Sequence, residues 1–357
     1  MRSRNPPAMS AEEIIQPDEI TIADPDNPGV KRIELTVRQH VAGKRIDSYL
    51  AGRFADYSRT FIQRLIANGQ ITVSGAIVKG SYKMRVGDVV QILLPELEEE
   101  TIAPEDIPLD VLYEDEWLLV INKSAHIVVH PSRGHLGGTL VNAIAHHCRE
   151  LSDLGGPLRP GIVHRLDRET SGVILFIKDR VVHEKIAAQF EQRQVRKRYV
   201  AIVEGAPALD SDLIDLPIGK DIRHPEKMAI RFDEDGREAS TVYEVLDRFD
   251  GYALVQCRPK TGRTHQIRVH MRATGHPVVA DELYSNADSL YLSEIRRIPV
   301  SPGEQPLIDR QALHAAEITF HHPALFKELT FTAPLPDDMN RALSALREFR
   351  PARKSVK

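Results

Sequence analysis

The turn at residues 161–172, GIVHRLDRETSG, is the first stretch of the chain whose residue types could do chemistry. Glycines stand at both ends, and an apolar run, VILFIKD, follows at once. Its titratable side chains are His164, Arg165, Asp167, Arg168 and Glu169. A carboxylate can act as a nucleophile or a base, and neighbouring cations can bind phosphate. The turn is therefore the first candidate for an active site.

The acids of this turn do not fit two common reaction classes. A glycosidase needs two carboxyl groups that face each other across the scissile bond, and Asp167 and Glu169 are too close in sequence for that. A kinase catalytic loop has the order His-Arg-Asp, whereas Leu166 separates Arg165 from Asp167. The sequence also lacks a preceding glycine-rich phosphate loop and a following Asp-Phe-Gly triplet. Phosphoryl transfer is therefore not expected.

The fifteen histidines form no recognisable metal motif. The closest groupings are His146-His147, His265 with His270, and His321-His322. Five helical positions separate two side chains by roughly 140°, at about 100° per residue, so His265 and His270 would not share an ion. Because no H-E-x-x-H segment or Cys/His ladder exists either, we expect core and surface histidines and no metal.

Two more basic segments follow the charged turn: QVRKRY at 194–199 and PKTGRTHQIRVHMRATGHP at 259–277. In the second, Thr264 is predicted to cap a helix that ends at Gly275. One face of this helix is apolar, with Ile267 and Met271. Another carries the cations His265, Arg268 and Arg272. Three Arg-rich segments beside apolar strands predict a basic cleft with a carboxylate in it, as a nucleic-acid enzyme requires.

Length and composition describe a globular chain of about two domains. The 357 residues are 42% hydrophobic and 27% charged. No apolar run is long enough to span a membrane, and no signal-peptide core is present. Two distant cysteines, Cys148 and Cys257, fit a reducing cytosol. The net charge is −4, but residues 44–88 carry eight basic against three acidic residues, which predicts a module that binds a polyanion.

Hydrophobic patterns predict a small α/β module at residues 31–95. It has a strand at 32–37, helical stripes that include Leu50 and Leu65, and a hairpin at 71–78. Ser74-Gly75 is placed at the hairpin turn, and Ser58 at the start of the second helix. Arg59 and Arg64 are expected on the exposed side of that helix, and by themselves they would fit a solvated surface.

The remaining segments flank or follow this module. Residues 1–30, rich in Pro, Asp and Glu, predict a disordered acidic tail. Acidic, Pro-flanked residues 96–107 predict a linker. Residues 108–338 contain several strand-like runs without helices between them, which favours the α+β class with a mixed or antiparallel sheet. Residues 339–357 predict a helical, then basic, frayed tail.

The charged turn HRLDRETSG resembles the signature of the RluA/RluD family of pseudouridine synthases, which isomerise uridines in structured RNA. INKSAHIVVHP (121–131), KRYVAIVEG (197–205) and KTGRTHQIRVHM (260–271) are similar to other motifs of that family, in the same order. The 31–95 module resembles the S-four-like RNA-binding fold. Two turns depart from the family: Ser124 and His126 replace its Pro and Gly, and Ala280-Asp-Glu-Leu-Tyr-Ser285 replaces Gly-Asp-x-x-Tyr-Gly.

The resemblance implies a pseudouridine synthase fold with a mixed, largely antiparallel sheet, and a role for particular residues. Asp167 is the implied catalytic carboxylate, Arg268 its partner, and Tyr199 the residue that stacks on the uracil and accepts or relays the C5 proton. Arg165 is implied to fill the gap left by the flipped base. Further substrate contacts are expected from His164, Leu166, Arg263, His265 and Val278. RNA contacts are expected from Arg59, Arg64, Lys79 and Lys83.

The implied reaction breaks the bond from N1 to C1′, turns the base and joins C1′ to C5, so no cofactor or metal is expected. The implied partner is RNA, most simply large-subunit ribosomal RNA. The protein is expected to be a cytoplasmic monomer that does not associate with a membrane. Two alternatives remain open: a catalytically inactive RNA-binding or ribosome-assembly factor, and a base-excising N-glycosylase. The presence of Asp167, Tyr199 and Arg268 together weighs against the first, and the S-four-like module against the second.

Overall fold

The computed structural model describes residues 19–23, 30–54, 57, 59–95, 102–130, 137–148, 151–155 and 160–352. Contacts within the chain divide it into two units, residues 1–99 and 100–357.

The first unit packs a four-stranded antiparallel sheet against two helices. The strands are β1 (Glu19–Ala23), β2 (Val30–Thr36), β3 (Ile71–Val73) and β4 (Val89–Pro95), in the order β1-β2-β4-β3. The helices are α1 (Ile46–Arg53) and α2 (Arg59–Ala67). Ile62, Leu65 and Ile66 of α2 and Leu50 of α1 are buried in one core, as their helical spacing predicts.

The hairpin turn of this unit is where the sequence places it. Val73 and Ala76 exchange two backbone hydrogen bonds of 2.9 Å. Ser74 and Gly75 between them both have positive φ, as a tight hairpin turn requires. Ser58, the expected cap of α2, lies outside the described residues.

The expectation of a disordered tail over residues 1–30 is wrong for Glu19–Ala23, which forms β1. This strand pairs antiparallel with β2, from Glu19 opposite Leu35 to Ala23 opposite Lys31. The sequence EITIA alternates polar and apolar residues with the period of a strand. That short signal is diluted in a window dominated by Pro, Asp and Glu.

The second unit is built on a nine-stranded sheet. Its strands are β5 (Val111–Glu114), β6 (Leu118–Lys123), β7 (Ser171–Ile177), β8 (Arg196–Glu204), β9 (Ser211–Asp215), β12 (Ser240–Phe249), β13 (Tyr252–Pro259), β14 (Leu313–His322) and β15 (Lys327–Thr332). A separate two-stranded hairpin is formed by β10 (Ile218–Lys220) and β11 (Met228–Ile230). The helices are α3 (Leu140–His147), α4 (Arg180–Glu191), α5 (Gln266–Ala273), α6 (Leu292–Arg296) and α7 (Asp337–Phe349). A short 3-10 turn spans Asp153–Gly155.

The sheet order is β5-β6-β7-β14-β8-β13-β12-β9, with β15 paired to the far end of β14. Among the described strands, β7 and β14 form the one parallel pair, and the other neighbours are antiparallel. The predicted α+β class with a mixed, largely antiparallel sheet is therefore confirmed.

Helices on both faces explain why the run VILFI in β7 is continuously apolar. Leu175 packs on the face that also buries Ile186 of α4. Ile174 and Phe176 lie on the opposite face, in one cluster with Ile144 of α3. A strand covered on both sides needs no polar alternation. The charged turn that precedes β7 is thus anchored to the interior of the sheet.

The glycines at the two ends of the charged turn are needed for close backbone contacts. Gly161 has φ +70°, and a Cβ atom there would lie 2.6 Å from the carbonyl oxygen of Ile177. Gly172 has φ +113°, and a Cβ atom there would lie 2.2 Å from the carbonyl oxygen of Ala315 in β14. Only glycine adopts these positions without displacement of the neighbouring strand.

Two expected boundaries of this unit are wrong. Helix α7 is not a frayed tail, because Met339, Leu343 and Leu346 are buried in the core beneath β8 and β13. The described end of the expected linker also belongs to this unit. The backbone N–H of Glu105 donates to the carbonyl of Asn142 in α3 at 3.0 Å, and the Asn142 side chain returns a bond of 2.8 Å to the carbonyl of Ala103. Amphipathic spacing and acidic composition alone do not reveal these tertiary contacts.

Replacement of Gly172 by alanine is expected to destabilise the second unit by about 3 kcal/mol or more, because the new methyl group meets the backbone of β14. Gly303→Ala is the matched control, since Gly303 also has positive φ (+85°) but has open space around its Cβ position. It should lose only about 1 kcal/mol. Denaturant unfolding of both variants measures the difference, and equal losses would contradict the close approach of β7 to β14.

Candidate active site

The turn that carries Asp167 is held in place through its backbone carbonyls. Lys123 at the end of β6 is buried, and its Nζ donates to the carbonyls of Ser124, Arg168 and Thr170 at 2.8, 2.8 and 2.9 Å. Burial lowers the pKa of this lysine to about 7, although Glu169 opposes the shift. Three converging carbonyls satisfy all three ammonium protons. The turn is therefore fixed from beneath before any substrate binds.

A second buried cation holds the same turn from the side of α7. Arg310 is 3% exposed and donates from Nη1 to the carbonyl of Glu169 at 3.1 Å. Its Nε and Nη2 bind the carboxylate of Asp338, in the first turn of α7, at 2.7 and 3.1 Å. Helix α7 is thus connected through one side chain to the turn that bears Asp167.

Arg268 in α5 joins two carboxylates at the centre of the site. Its Nε and Nη2 bind Asp281 at 2.7 Å each, and its Nη1 binds Asp167 at 3.1 Å. The guanidinium is 4% exposed and Asp281 is fully buried. Burial opposes the charge of Arg268, but the hydrogen bonds and charge of Asp281 and Asp167 outweigh it and raise the pKa of the guanidinium. The contact of Arg268 with Asp167 that the resemblance implies is present.

Asp281 belongs to this site through its two bonds to Arg268, although the family resemblance implies no role for it. It lies in the loop that departs from the family pattern, and Ala280 before it has φ +56°, the left-handed region that glycine favours. The Asp281 carboxylate also accepts from the backbone N–H groups of Leu283 and Tyr284 at 3.1 and 3.2 Å. His126, in the other departing turn, likewise has φ +66°. Both altered turns therefore keep a left-handed backbone residue.

Tyr199 lies on β8 with its side chain half-buried beside Asp167. Burial raises the pKa of its hydroxyl, and the negative charge of Asp167 raises it further. The resting tyrosine therefore keeps its proton at neutral pH.

The cleft above these residues has about 600 Å³ of empty volume and opens to solvent. Seven of the expected catalytic and substrate-binding residues line it: Arg165, Leu166, Asp167, Tyr199, Arg263, His265 and Arg268. Arg165 and Arg263 are exposed at the surface, and Leu166 is buried in the core cluster that includes Ile174.

Two expected substrate contacts are not brought into the cleft. The Nε2 of His164 accepts from the backbone N–H of Leu175 at 3.0 Å, and its ring stacks on Phe190 with centroids 5.0 Å apart. Burial lowers the pKa of His164 to about 3, so it is neutral and braces the turn against β7. Val278 is fully buried and pairs with Val203 of β8, in the core. Both residues are expected to contact the substrate only because of their places in the family motifs, and a motif does not tell in which direction a side chain points.

The start of α5 also differs from the expectation. Thr264 does not cap the helix; the cap position is His265, with φ +55° and no capping side-chain bond. The Nδ1 of His265 is instead 2.8 Å from the hydroxyl of Tyr284. This left-handed residue turns the chain so that α5 directs Arg268 inward. The predicted stop at Gly275 has φ +82°, as a helix C-terminus commonly has.

The four expected RNA-binding side chains of the first unit are all exposed: Arg59, Arg64, Lys79 and Lys83. Arg59 also donates to buried Asp47 at 3.1 Å, and Arg64 lies 5.0 Å from the ring centroid of Phe61. Arg45 binds Asp47 through two bonds of 3.1 and 2.8 Å and lowers its pKa well below the usual range. Arg59 is therefore partly structural, whereas Lys79 and Lys83 extend into solvent.

Within the described residues, one group has the composition of a metal site: Glu114, His147 and Cys148, with ligand atoms within 4.8 Å of one another. Glu114 is already bound by His147 at 2.8 Å and by the ammonium of Lys178 at 2.8 Å. None of the described helices has the length and apolarity needed to cross a membrane.

Comparisons with known proteins agree with this geometry. Residues 117–273 match the family model described as RNA pseudouridylate synthase, and residues 44–90 match the S4 domain. The chain is 40% identical over 321 residues to "Uncharacterized RNA pseudouridine synthase YlyB" of Bacillus subtilis, with 89% of this chain and 99% of that protein covered. It is 38% identical to "Ribosomal large subunit pseudouridine synthase D" of Zymomonas mobilis, with 86% and 95% covered.

A solved structure is also similar. "Human RNA Pseudouridylate Synthase Domain Containing 4" aligns with a TM-score of 0.52 and 29% identity, covering 67% of this chain and 93% of that one. Fold, site and relatives define an RNA-modifying isomerase with an added RNA-binding domain. The chain belongs to the RNA pseudouridine synthase family.

Asp281→Asn should lower both stability and activity, because it removes the charge that fixes the inner side of Arg268. Breaking a buried ion pair from one side costs about 3–5 kcal/mol. We expect a lower unfolding midpoint and a large loss of tritium release from C5-labelled uridine in RNA. Glu282→Gln, at the exposed neighbouring position, is the control and should behave as wild type. Unchanged stability of the Asp281 variant would contradict the bridging role of Arg268.

Proposed function

We propose that this synthase isomerises uridines of large-subunit ribosomal RNA, with Asp167 as the catalytic carboxylate. The observation that carries the proposal is that Asp167 accepts a hydrogen bond from Arg268 in a cleft that Tyr199 also lines. Because Asp281 takes two bonds from the same guanidinium, Asp167 receives only one from it. That bond orients the carboxylate, while its remaining electron pairs are available for reaction.

The other residues of the cleft receive roles from their positions. A uridine inside a folded RNA must leave its stack to reach Asp167, at a cost of a few kcal/mol. Arg165, exposed at the cleft mouth, is proposed to fill the gap that the base leaves. Tyr199 is proposed to stack on the uracil and to relay the C5 proton. Since burial keeps its hydroxyl protonated, it can accept a second proton only after it has passed its own proton on.

The ribosomal target is proposed from the relatives. Three of them, from Zymomonas mobilis, Neisseria meningitidis and Xanthomonas campestris, are named "Ribosomal large subunit pseudouridine synthase D". The S4 match at residues 44–90 supports an RNA partner. Ribosomal RNA as substrate implies the cytoplasm as the compartment in bacteria. A monomer is proposed because one chain supplies Asp167, Tyr199, Arg268 and Asp281.

Asp167→Asn should abolish isomerisation while RNA affinity stays within a few-fold, because one carboxylate carries the chemistry and adds no phosphate contact. Tritium release from C5-labelled large-subunit RNA measures turnover, and filter binding measures affinity. Residual turnover in the asparagine variant would contradict the assignment. Base excision would instead release free uracil and leave an abasic site, which mass spectrometry of the RNA distinguishes from mass-neutral isomerisation.

Lys79→Ala with Lys83→Ala should weaken RNA binding and flatten its salt dependence, because both ammonium groups are proposed to contact phosphate. The slope of log affinity against log salt falls by roughly 0.7 to 0.9 per lost contact. Lys185→Ala with Lys327→Ala, two exposed lysines of the second unit, is the control of equal charge change. Equal slopes for the two double variants would show that the first unit does not contact RNA through these lysines.

A further inference from the structure

Lys197 is a partly buried cation that lines the cleft. It lies on β8 two residues before Tyr199, so both side chains leave the same face of the strand, and both line the cleft. Its flanking residues Arg196 and Arg198 pair with glutamates at 2.7 and 2.9 Å. Among the described residues, no acidic group lies within ion-pairing distance of Lys197.

The surroundings of the Lys197 ammonium are neutral. Its Nζ lies 3.7 Å from the position that a Cβ atom would take on Gly262, and 6.0 Å from the centroid of the Phe190 ring. Nearby His164 is uncharged, because burial and the charge of Lys197 lower its pKa. Burial lowers the pKa of Lys197 itself, and no negative group opposes the shift. Keeping a cation in such a place is unfavourable unless a bound ligand supplies the opposite charge.

The position of Lys197 within the cleft indicates which part of the substrate supplies that charge. Lys197 and Asp167 line the same cleft. Among the described residues, Asp167 is paired with Arg268, and the Lys197 ammonium is not within ion-pairing distance of it. In uracil, C4 is directly opposite N1 across the ring. A base whose C1′ is near Asp167 and whose ring lies on Tyr199 can thus direct O4 toward Lys197.

We propose that the Lys197 ammonium binds O4 of the flipped uracil and stabilises the negative charge that the base carries during isomerisation. This inference rests on the roles proposed above for Asp167 and Tyr199. A phosphate is the less suitable ligand, because Lys197 is partly buried, whereas Arg165 and Arg263 are exposed and offer cations that a backbone phosphate reaches more easily.

The charge arises from the reaction itself. When the bond from C1′ to N1 breaks, its electron pair stays on the base and is delocalised over N1, O2 and O4. C5 then supplies the pair that forms the new bond to C1′, C5 loses its proton, and N1 gains one. Addition of a carboxylate to the ring instead would also place negative charge on O4. On either route, a fixed cation at O4 stabilises the charged species more than the neutral substrate, and so lowers the barrier.

Lys197→Met tests the proposal, because methionine keeps most of the side-chain volume and removes the charge. We expect the single-turnover rate at saturating enzyme to fall about 100-fold, in the range found when one such donor is removed. RNA affinity and its salt slope should stay unchanged, and the unfolding midpoint should not fall, since no ion pair is lost. Arg196→Met, on the same strand but paired with surface Glu328, is the control and should keep the wild-type rate.

A thio-substituted substrate distinguishes contact with O4 from a general structural role. Sulfur accepts hydrogen bonds poorly, so RNA with 4-thiouridine at the target should lose the Lys197 contact. The ratio of the uridine rate to the 4-thiouridine rate should therefore be several-fold smaller in Lys197→Met than in wild type. The corresponding ratio for 2-thiouridine should be the same in both proteins, because O2 is not the proposed contact.

The pH dependence of the single-turnover rate tests the role of the Lys197 charge independently. Lys197 is charged at pH values below its lowered pKa. The single-turnover rate should therefore fall as the pH rises through that pKa. Lys197→Arg keeps its charge at high pH, so its alkaline limb should move upward.

Three results would overturn the proposal: an unchanged rate in Lys197→Met, equal 4-thio ratios in both proteins, or a loss of affinity with a flatter salt slope, which would indicate a phosphate contact. If wild-type protein itself leaves uridine unchanged, the proposed function fails instead.

Discussion

One guanidinium between two carboxylates organises the catalytic unit. Arg268 reaches the interior from α5, Asp281 comes from the following loop, and Asp167 comes from a turn about a hundred positions earlier in the chain. A buried arginine is stable only with its charge and its donors satisfied, so the three segments must meet in this arrangement. The group contains two carboxylates and one guanidinium. Asp167 is the carboxylate that faces the cleft, because Asp281 is fully buried.

The surrounding elements serve to hold this arrangement still. Lys123 and Arg310 bind the backbone of the Asp167 turn rather than its acidic side chain. They fix the position of the carboxylate without competing for it, which a direct ion pair would do. Gly161 and Gly172 let the ends of the turn come against neighbouring strands. A reaction that rearranges one nucleotide without a cofactor depends on such fixed positions, because geometry and electrostatics are all that the protein can contribute.

The sequence was most informative where a pattern is local. The apolar face of α2, the Ser74-Gly75 turn and the mixed-sheet class follow from spacing within a few residues. Resemblance to a family supplied the contact of Arg268 with Asp167. Asp281 was missed because its partner lies across a loop with an unusual sequence. The positions of His164 and Val278 outside the cleft could not be predicted, because motif position does not tell which side of the backbone a side chain leaves. The packing of α7 could not be predicted either, because only tertiary contacts show what its apolar face covers.

The place of β14 in the sheet has a consequence for biogenesis. This strand lies between β7 and β8, yet it follows both of them in the chain and is synthesised only after α5 and α6. Until β14 is synthesised, the half that bears Asp167 and the half that bears Tyr199 have no strand between them to join them. Until then, the nascent chain exposes the unpaired edges of β7 and β8, and unpaired strand edges are prone to aggregation. Folding of this unit should therefore be completed only after β14 has emerged, and should depend on chaperones more than its final stability would suggest.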